Sequence, residues 1–457
     1  MNRQLLRIVG AFLLGFVVLA GGLFYWQVYR GPDLLARTDN PRHHEEKVRE
    51  SRGRVLDSRG RVLVESVPVG EKLERHYVYP PLVHVTGFDS SRYGNSGVEA
   101  TLDAELRGLA GRSAWARAWD RLLRRQPPTR DVTLTVDLGL QTAADEALGN
   151  RNGAVVLLEA RTGRILALAS HPFFDPNQLD PTWHDLSTDP HRPFLGRATQ
   201  GLYAPGSCFM LVTLASALNS GTAALDDVII EVPDVLQVEG TVIRSARGQS
   251  PRLTLLGAFQ TSQAVAFGQL GLRLGWTNLR RGIQAFGLDQ RVPLEIETAA
   301  SPLPSQDLLT QADLASTAVG QGRLSVTPLH MALVMSAIAN DGELAAPHLV
   351  ERVSSIGESY SPSSHAPLLD RVMPPAVASL LRNALAWPDG PSGVASLVGQ
   401  SGITGLGPGV EPHVWFIGLS PFGAPRYAVA VLIENGGADA SLARDIAQRV
   451  VAALRSQ

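Results

Sequence analysis

The chain has 457 residues, 44% of them hydrophobic and 18% charged, with a formal net charge of -2. That length holds two or three domains with a sizeable core, and the near-neutral balance supplies no global field to recruit nucleic acid or an anionic membrane. The one cysteine, Cys208, excludes an internal disulfide framework and a multi-cysteine zinc site.

From Ile8 to Trp26 the sequence IVGAFLLGFVVLAGGLFYW carries no charge. About 20 residues at ~1.5 Å rise span a ~30 Å hydrocarbon core, so the run predicts a transmembrane helix. A cleaved signal peptide is the competing reading, with Arg3 and Arg7 as its basic start, but the run is long and no small-x-small site ends it. Leu19 to Gly22 lacks a lipoprotein's cysteine. Arg3 and Arg7 before the run, and the aromatic trio Phe24, Tyr25 and Trp26 at its far end, put the first residues in the cytoplasm and the bulk of the chain outside. Residues 1–30 are the cytoplasmic tip and anchor.

Gly31 to Glu50 is a polar stalk. Its run His43-His44-Glu45-Glu46 is a solvated charge cluster rather than a metal site, since no His-Glu-x-x-His pattern supports it. The stretch SRGRVLDSRGRVLVES predicts a hairpin, Arg54 to Leu56 against Arg61 to Val64, around Asp57 to Gly60. Ser113 to Arg125 is a basic helix ending before Pro127-Pro128. Residues 31–131 form a small membrane-proximal domain.

Residues 132–457 form the second domain. Val132 to Val136 is a strand, Asp137 a helix cap and Leu140 to Leu148 a helix. GAVVLLEARTGRILALAS predicts two apolar strands joined at Ala160 to Gly163. VWFIGLSPFGAPRYAVAVLIEN repeats that plan near the C-terminus, before a helix from Leu442 to Leu454. Strand pairs at both ends and helical periodicity from Leu211 to Met335 predict an α+β domain whose antiparallel sheet is sandwiched by helices. Gly405 to Gly409, GLGPG, lacks the context and the Lys-Ser/Thr ending of a phosphate cradle.

The chemistry centres on YAPGSCFMLVTLASAL. A helix opening at Ser207 puts the hydroxyl at the positive end of the dipole and residue 210 on the same face. A nucleophilic serine needs a neighbour that accepts its proton. Met210 has no basic atom; its thioether fills a lysine's volume without its charge. Cys208 lies about 100° round the helix, which turns it toward core or a neighbouring strand rather than the cleft.

Seven segments, in this order, resemble a class B penicillin-binding protein, the membrane-anchored D,D-transpeptidase family that crosslinks peptidoglycan. They are SRGRVLDSRGRVL, YGNSGVEATLDAELRG, LTVDLGLQTAADEAL, GAVVLLEARTGRILALASHPFFDPN, RATQGLYAPGS, VGQGRLSVTPLHMALVMSAIANDG and HVWFIGLSP. They are spread along nearly the whole chain. The resemblance implies a penicillin-binding-protein/serine β-lactamase-like transpeptidase domain with three motifs: Ser-x-x-Lys, Ser-x-Asn and Lys-Thr/Ser-Gly. The first maps to Ser207-Cys208-Phe209-Met210, where the lysine is lost. The second maps to Ser262-Gln263-Ala264, where the asparagine is lost. The third maps to Gln400-Ser401-Gly402, where again the lysine is lost and Ile403 follows in place of a threonine.

Two cations thus leave a pocket that must activate a hydroxyl and grip a carboxylate. A general base alone contributes about 10²–10⁴ in rate, and groups that act as a unit are non-additive. Ser207 should be nearly inert, and Ser207, Ser262 and Ser401 preserve packing. The expected function is a pseudo-transpeptidase of the inner membrane, free of cofactor, metal and nucleic acid. It would act in cell-wall synthesis as scaffold or regulator of the multi-pass glycan polymerase that the resemblance implies as partner, with peptidoglycan as a further candidate ligand. Two alternatives stand beside it: an active D,D-transpeptidase acylating through Ser207, and a non-catalytic module binding muropeptide or β-lactam. For the latter, Arg244, Arg247 and Arg323 are candidate carboxylate grips by sequence neighbourhood.

Overall fold

The structure is a computed structural model describing residues 3–26, 51–70, 72–123, 125, 127–230, 232–245, 252–300, 303, 309–355, 358–361, 371–386, 397–405 and 409–456. The stalk, with His43 to Glu46, and Arg247 lie outside them. Arg3–Phe24 is helical, with side chains described at residue 7 and from 9 onward. Phe12, Leu13, Phe16 and Val17 are exposed on it. Among the described residues no helix is long and apolar enough to cross a membrane, so the expected anchor is not established by the fold.

The expected hairpin forms: Val55–Leu56 pairs antiparallel with Val62–Val69. Asp57, fully buried, makes its turn by accepting from the backbone N–H of Arg59 and Arg61. The Glu99 carboxylate, also fully buried, is held by Arg52 Nε at 2.9 Å and Arg75 Nε at 2.7 Å. A buried charge persists only when paired this way.

The strand expected to open the second domain is Asp131–Leu134, and it lies in the first domain's sheet. It runs parallel to Val55–Leu56 and antiparallel to Val350–Ser355. The six-stranded sheet therefore draws strands from both sides of the expected 131/132 boundary.

The second sheet has five antiparallel strands. Its order across the sheet is Val398–Thr404, His413–Ser420, Tyr427–Ile433, Gly153–Glu159, Ile165–His171. Strands buried on both faces are continuously apolar, as VVLL and AVAVLI are. On one face pack the helices Leu138–Leu148 and Ser441–Ala453, through Leu140, Ala144, Leu148, Ile446 and Val450. The other face belongs to the main core, with the helices Met210–Asn219 and Pro328–Ala339. Asp137 caps the first of these helices as expected, accepting from Gly139 and Leu140 N–H. The sandwich read from the sequence is the observed layer plan.

Candidate active-site cleft

Ser207 does not open the α-helix. Gly206–Phe209 is a 3-10 turn and the α-helix begins at Met210. Gly206 has φ +55°, and its N–H donates to Gly320 O at 2.9 Å. A Cβ on Gly206 would lie 2.7 Å from Thr404 Oγ1, and one on Gly320 would lie 2.0 Å from Gly206 O. Only glycine allows this close interlock. The Thr404 hydroxyl and the Trp415 indole N–H both donate to Ala204 O, at 2.9 and 3.1 Å. The turn is thus pinned to the sheet's edge.

Ser207 is partly exposed, and among the described residues its hydroxyl has no hydrogen-bond partner. Met210 is 1% exposed and part of the main core. Cys208 is fully buried against the edge strand, its thiol donating to Gln400 O at 3.3 Å. Burial pushes its pKa up, which removes it as a substitute nucleophile. The expected orientation of Cys208 holds.

The second motif follows the helix Leu255–Gln260. Ser262 has φ +53°, a left-handed conformation fixed by its N–H to Phe259 O at 3.0 Å and by Gln263 N–H to Ala258 O at 2.8 Å. Ala264 then starts the helix Ala264–Ala285, which breaks at Gly275. Val265 N–H donates to Ser245 Oγ at 3.3 Å, so Arg244, exposed at the end of Thr241–Arg244, adjoins the residue that touches the position just after this motif.

The third motif occupies the edge strand Val398–Thr404. Gln400, Gly402 and Thr404 alternate inward as buried residues. A Cβ on Gly402 would meet Cys208 Sγ at 3.0 Å, Cys208 N at 3.1 Å and Pro205 O at 3.1 Å. Gln400 is 5% exposed, and its Nε2 donates to Ser262 Oγ at 2.8 Å. This bond brings the second and third motifs together beside the turn that carries the first. Sequence reading missed it, because the partners are 138 positions apart.

A second contact set missed by the sequence reading steadies the loop before Ser207. Tyr203 OH donates to Glu434 Oε1 at 2.6 Å, and Arg197 holds the same carboxylate through Nε at 2.9 Å. Burial, with Glu434 beside it, pushes the Tyr203 pKa up. Arg323 is largely exposed and its Nε lies 3.4 Å from Asp313 Oδ1. No acid, histidine, lysine or arginine among the described residues hydrogen-bonds or ion-pairs with the side chain of Ser207, Ser262, Gln400 or Ser401.

Residues 153–452 match the family model of the penicillin binding protein transpeptidase domain. The chain is a class B penicillin-binding protein. Residues 52–132 match the penicillin binding protein A dimerisation domain. This penicillin-binding protein is 31% identical to the peptidoglycan D,D-transpeptidase PbpA of Mycolicibacterium smegmatis, across 96% of the chain and 94% of that relative. The crystal structure of the Mycobacterium tuberculosis penicillin-binding protein A superposes with a TM-score of 0.78 at 32% identity, covering 89% of this chain and 100% of that one. Its imipenem acyl-enzyme complex gives a TM-score of 0.79 at 31% identity, covering 90% and 99%.

One compositional fact bears on every member of the cleft. Of the 41 lysine and arginine residues in this penicillin-binding protein only two are lysines, Lys47 and Lys72, and both precede the transpeptidase segment. No lysine from that segment can take the place of the two that the family motifs require.

Proposed function

We propose that this protein is a catalytically degenerate transpeptidase: a pseudoenzyme that works in peptidoglycan synthesis as scaffold or regulator. The observation that carries the reading is the Gln400–Ser262 hydrogen bond, together with the burial of Met210. Neutral side chains stand at the positions of the family's two cations, and the Gln400 amide is engaged by Ser262 instead of activating Ser207. Hydroxyl activation requires a base within reach, and neither thioether nor amide supplies one.

The remaining parts follow from what has been kept. The apolar Arg3–Phe24 helix, with arginines at its start and aromatics after it, suits a single-pass anchor in the cytoplasmic membrane, N-terminus inside. The partner of the anchor and of the membrane-proximal pedestal, residues 31–131, would be a multi-pass glycan polymerase, whose contacts need none of the lost motifs. The partly exposed, unpartnered Ser207 hydroxyl favours, as the second reading, a D,D-transpeptidase that still acylates through it.

Labelling of the purified full chain with a fluorescent penicillin, with Ser207→Ala as control, separates the two. The pseudoenzyme gives no Ser207-dependent adduct. A stoichiometric adduct that Ser207→Ala abolishes overturns the proposal and establishes a working serine.

A further inference from the structure

The pedestal carries a helix that its own domain does not cover. Over Ala114–Leu122, Trp115 is 82% exposed, Trp119 58% and Leu122 70%, and Leu123 just beyond is 43% exposed. These positions follow one another at i, i+4, i+7 and i+8, so they form a single apolar stripe. In the sequence an arginine stands two places after each of them, at 117, 121, 124 and 125. Two places are about 200° of helical turn, so within the helix positions 117 and 121 fall opposite the stripe, and the sequence continues the same spacing at 124 and 125. The one acid in the helix, Asp120, is paired with Arg112 at 2.5 Å. An uncovered indole stripe in a segment whose sequence sets arginines on the other side of the helix is the pattern of a helix that lies in a membrane interface.

Position in the fold points the same way. The excursion bearing this helix leaves and returns at one corner, where a Cβ on Gly108 would lie 2.1 Å from Pro128 O. At that corner Gly53 N–H donates to Leu106 O at 2.8 Å, and a Cβ on Gly53 would lie 1.8 Å from Arg130 O. Ser51 to Gly53 share a cleft of about 600 Å³ with Pro128 and Thr129. The corner is therefore the part of the pedestal that the chain reaches first after the N-terminal helix and stalk.

We infer that the helix Ala114–Leu122 docks flat on the outer face of the cytoplasmic membrane, its tryptophans at the acyl boundary and its arginines on anionic phospholipid headgroups. Trp and Leu on one side and Arg on the other suit the two halves of that interface. The docked helix gives the pedestal a second membrane contact beside the anchor and so fixes the tilt of the cleft above the bilayer. The inference rests on the anchored reading of the N-terminus.

The test uses the full chain reconstituted in vesicles of phosphatidylglycerol with brominated acyl chains. Emission of the wild type minus that of the Trp115→Phe, Trp119→Phe double variant isolates the two indoles. At a depth of about 5–10 Å, that difference emission is blue-shifted and strongly quenched by bromine. In brominated phosphatidylcholine the quenching falls, and Arg121→Gln or Arg124→Gln lowers the docked-to-free ratio in phosphatidylglycerol about fivefold each. Indoles that emit as in water and escape quenching in phosphatidylglycerol overturn the proposal. So does quenching equal in the two lipids, and so does shielding that appears only when a polytopic membrane protein is added, which would make the stripe a protein contact. Flotation of the double variant reads the anchor separately: a chain that floats with unquenched indoles fails the docking inference alone. A wild-type chain that does not float fails the anchored reading, and the soluble protein titrated with the same brominated vesicles then decides the helix by the same quenching.

Discussion

The Gln400 amide nitrogen donates to the Ser262 hydroxyl across 2.8 Å, joining the sheet's edge strand to the loop before the helix Ala264–Ala285. Replacing Gln400 with alanine leaves Ser262 without this partner. The expected cost is about 1–2 kcal/mol of stability, read as a lower thermal midpoint, with penicillin labelling unchanged from the wild type.

Restoring the family motifs tests the loss from the other direction. Met210→Lys alone places an amine at a 1% exposed site; it destabilises the fold by roughly 2–4 kcal/mol and yields no adduct, because desolvation opposes the charge and the other groups remain absent. The combination Met210→Lys, Ala264→Asn and Gln400→Lys gains Ser207-dependent labelling. A triple variant that folds and stays unlabelled would show that the cleft has lost more than these three side chains.

Gly206→Ala probes the interlock under Ser207. The new methyl must occupy a left-handed backbone and approach Thr404 Oγ1 to 2.7 Å and Ile403 O to 2.8 Å. Left-handed strain and overpacking together amount to about 2–4 kcal/mol. The check is chemical denaturation of the variant beside the wild type, with the midpoint shifted and the slope retained.

Cys208 is the chain's one thiol, so its reactivity reads the cleft floor cleanly. Burial raises its pKa and closes it to solvent. An aromatic disulfide reagent should leave the native protein unmodified at neutral pH and titrate one thiol once denaturant is added. Rapid native labelling would place Cys208 in the open cleft instead of against Gly402.

His84 supplies a pH dependence. Burial, with Arg197 and His171 nearby, lowers its pKa from 6.5 to about 4, although its hydrogen bond to Pro172 O opposes the shift. The unfolded chain then takes up the proton first as pH falls. The contribution is fully present above pH 6.5 and is lost between 6.5 and about 4, amounting to about 3 kcal/mol. His84→Gln should flatten the stability profile across that window, measured by denaturation at successive pH values.

The layer plan was legible because its signals are local. Alternation and apolar runs mark the strands Gly153–Glu159 and Tyr427–Ile433, and Asp137 announces the helix it caps. Partnership was not local. The pattern of Val132 to Val136 identifies a strand, but nothing in it tells that Asp131–Leu134 would pair with Val55–Leu56 and Val350–Ser355. The cleft divides in the same way. Ser207, Met210 and Cys208 lie within one turn, so spacing placed them. Gln400 with Ser262, and Tyr203 with Glu434, are joined only by the folded chain. The 3-10 form of Gly206–Phe209 depends on Gly320 and Thr404, which no window around Ser207 contains.

The central sheet pairs Gly153–Glu159 with Tyr427–Ile433, which is synthesised about 270 residues later. At roughly 5–20 residues per second, the first hairpin waits about 15–50 s for its neighbour, with the hydrogen-bonding edge of Gly153–Glu159 unpaired throughout. Nothing upstream of Tyr427 can close that gap, so a ribosome stalled anywhere in the helical middle leaves a sticky, half-built sheet.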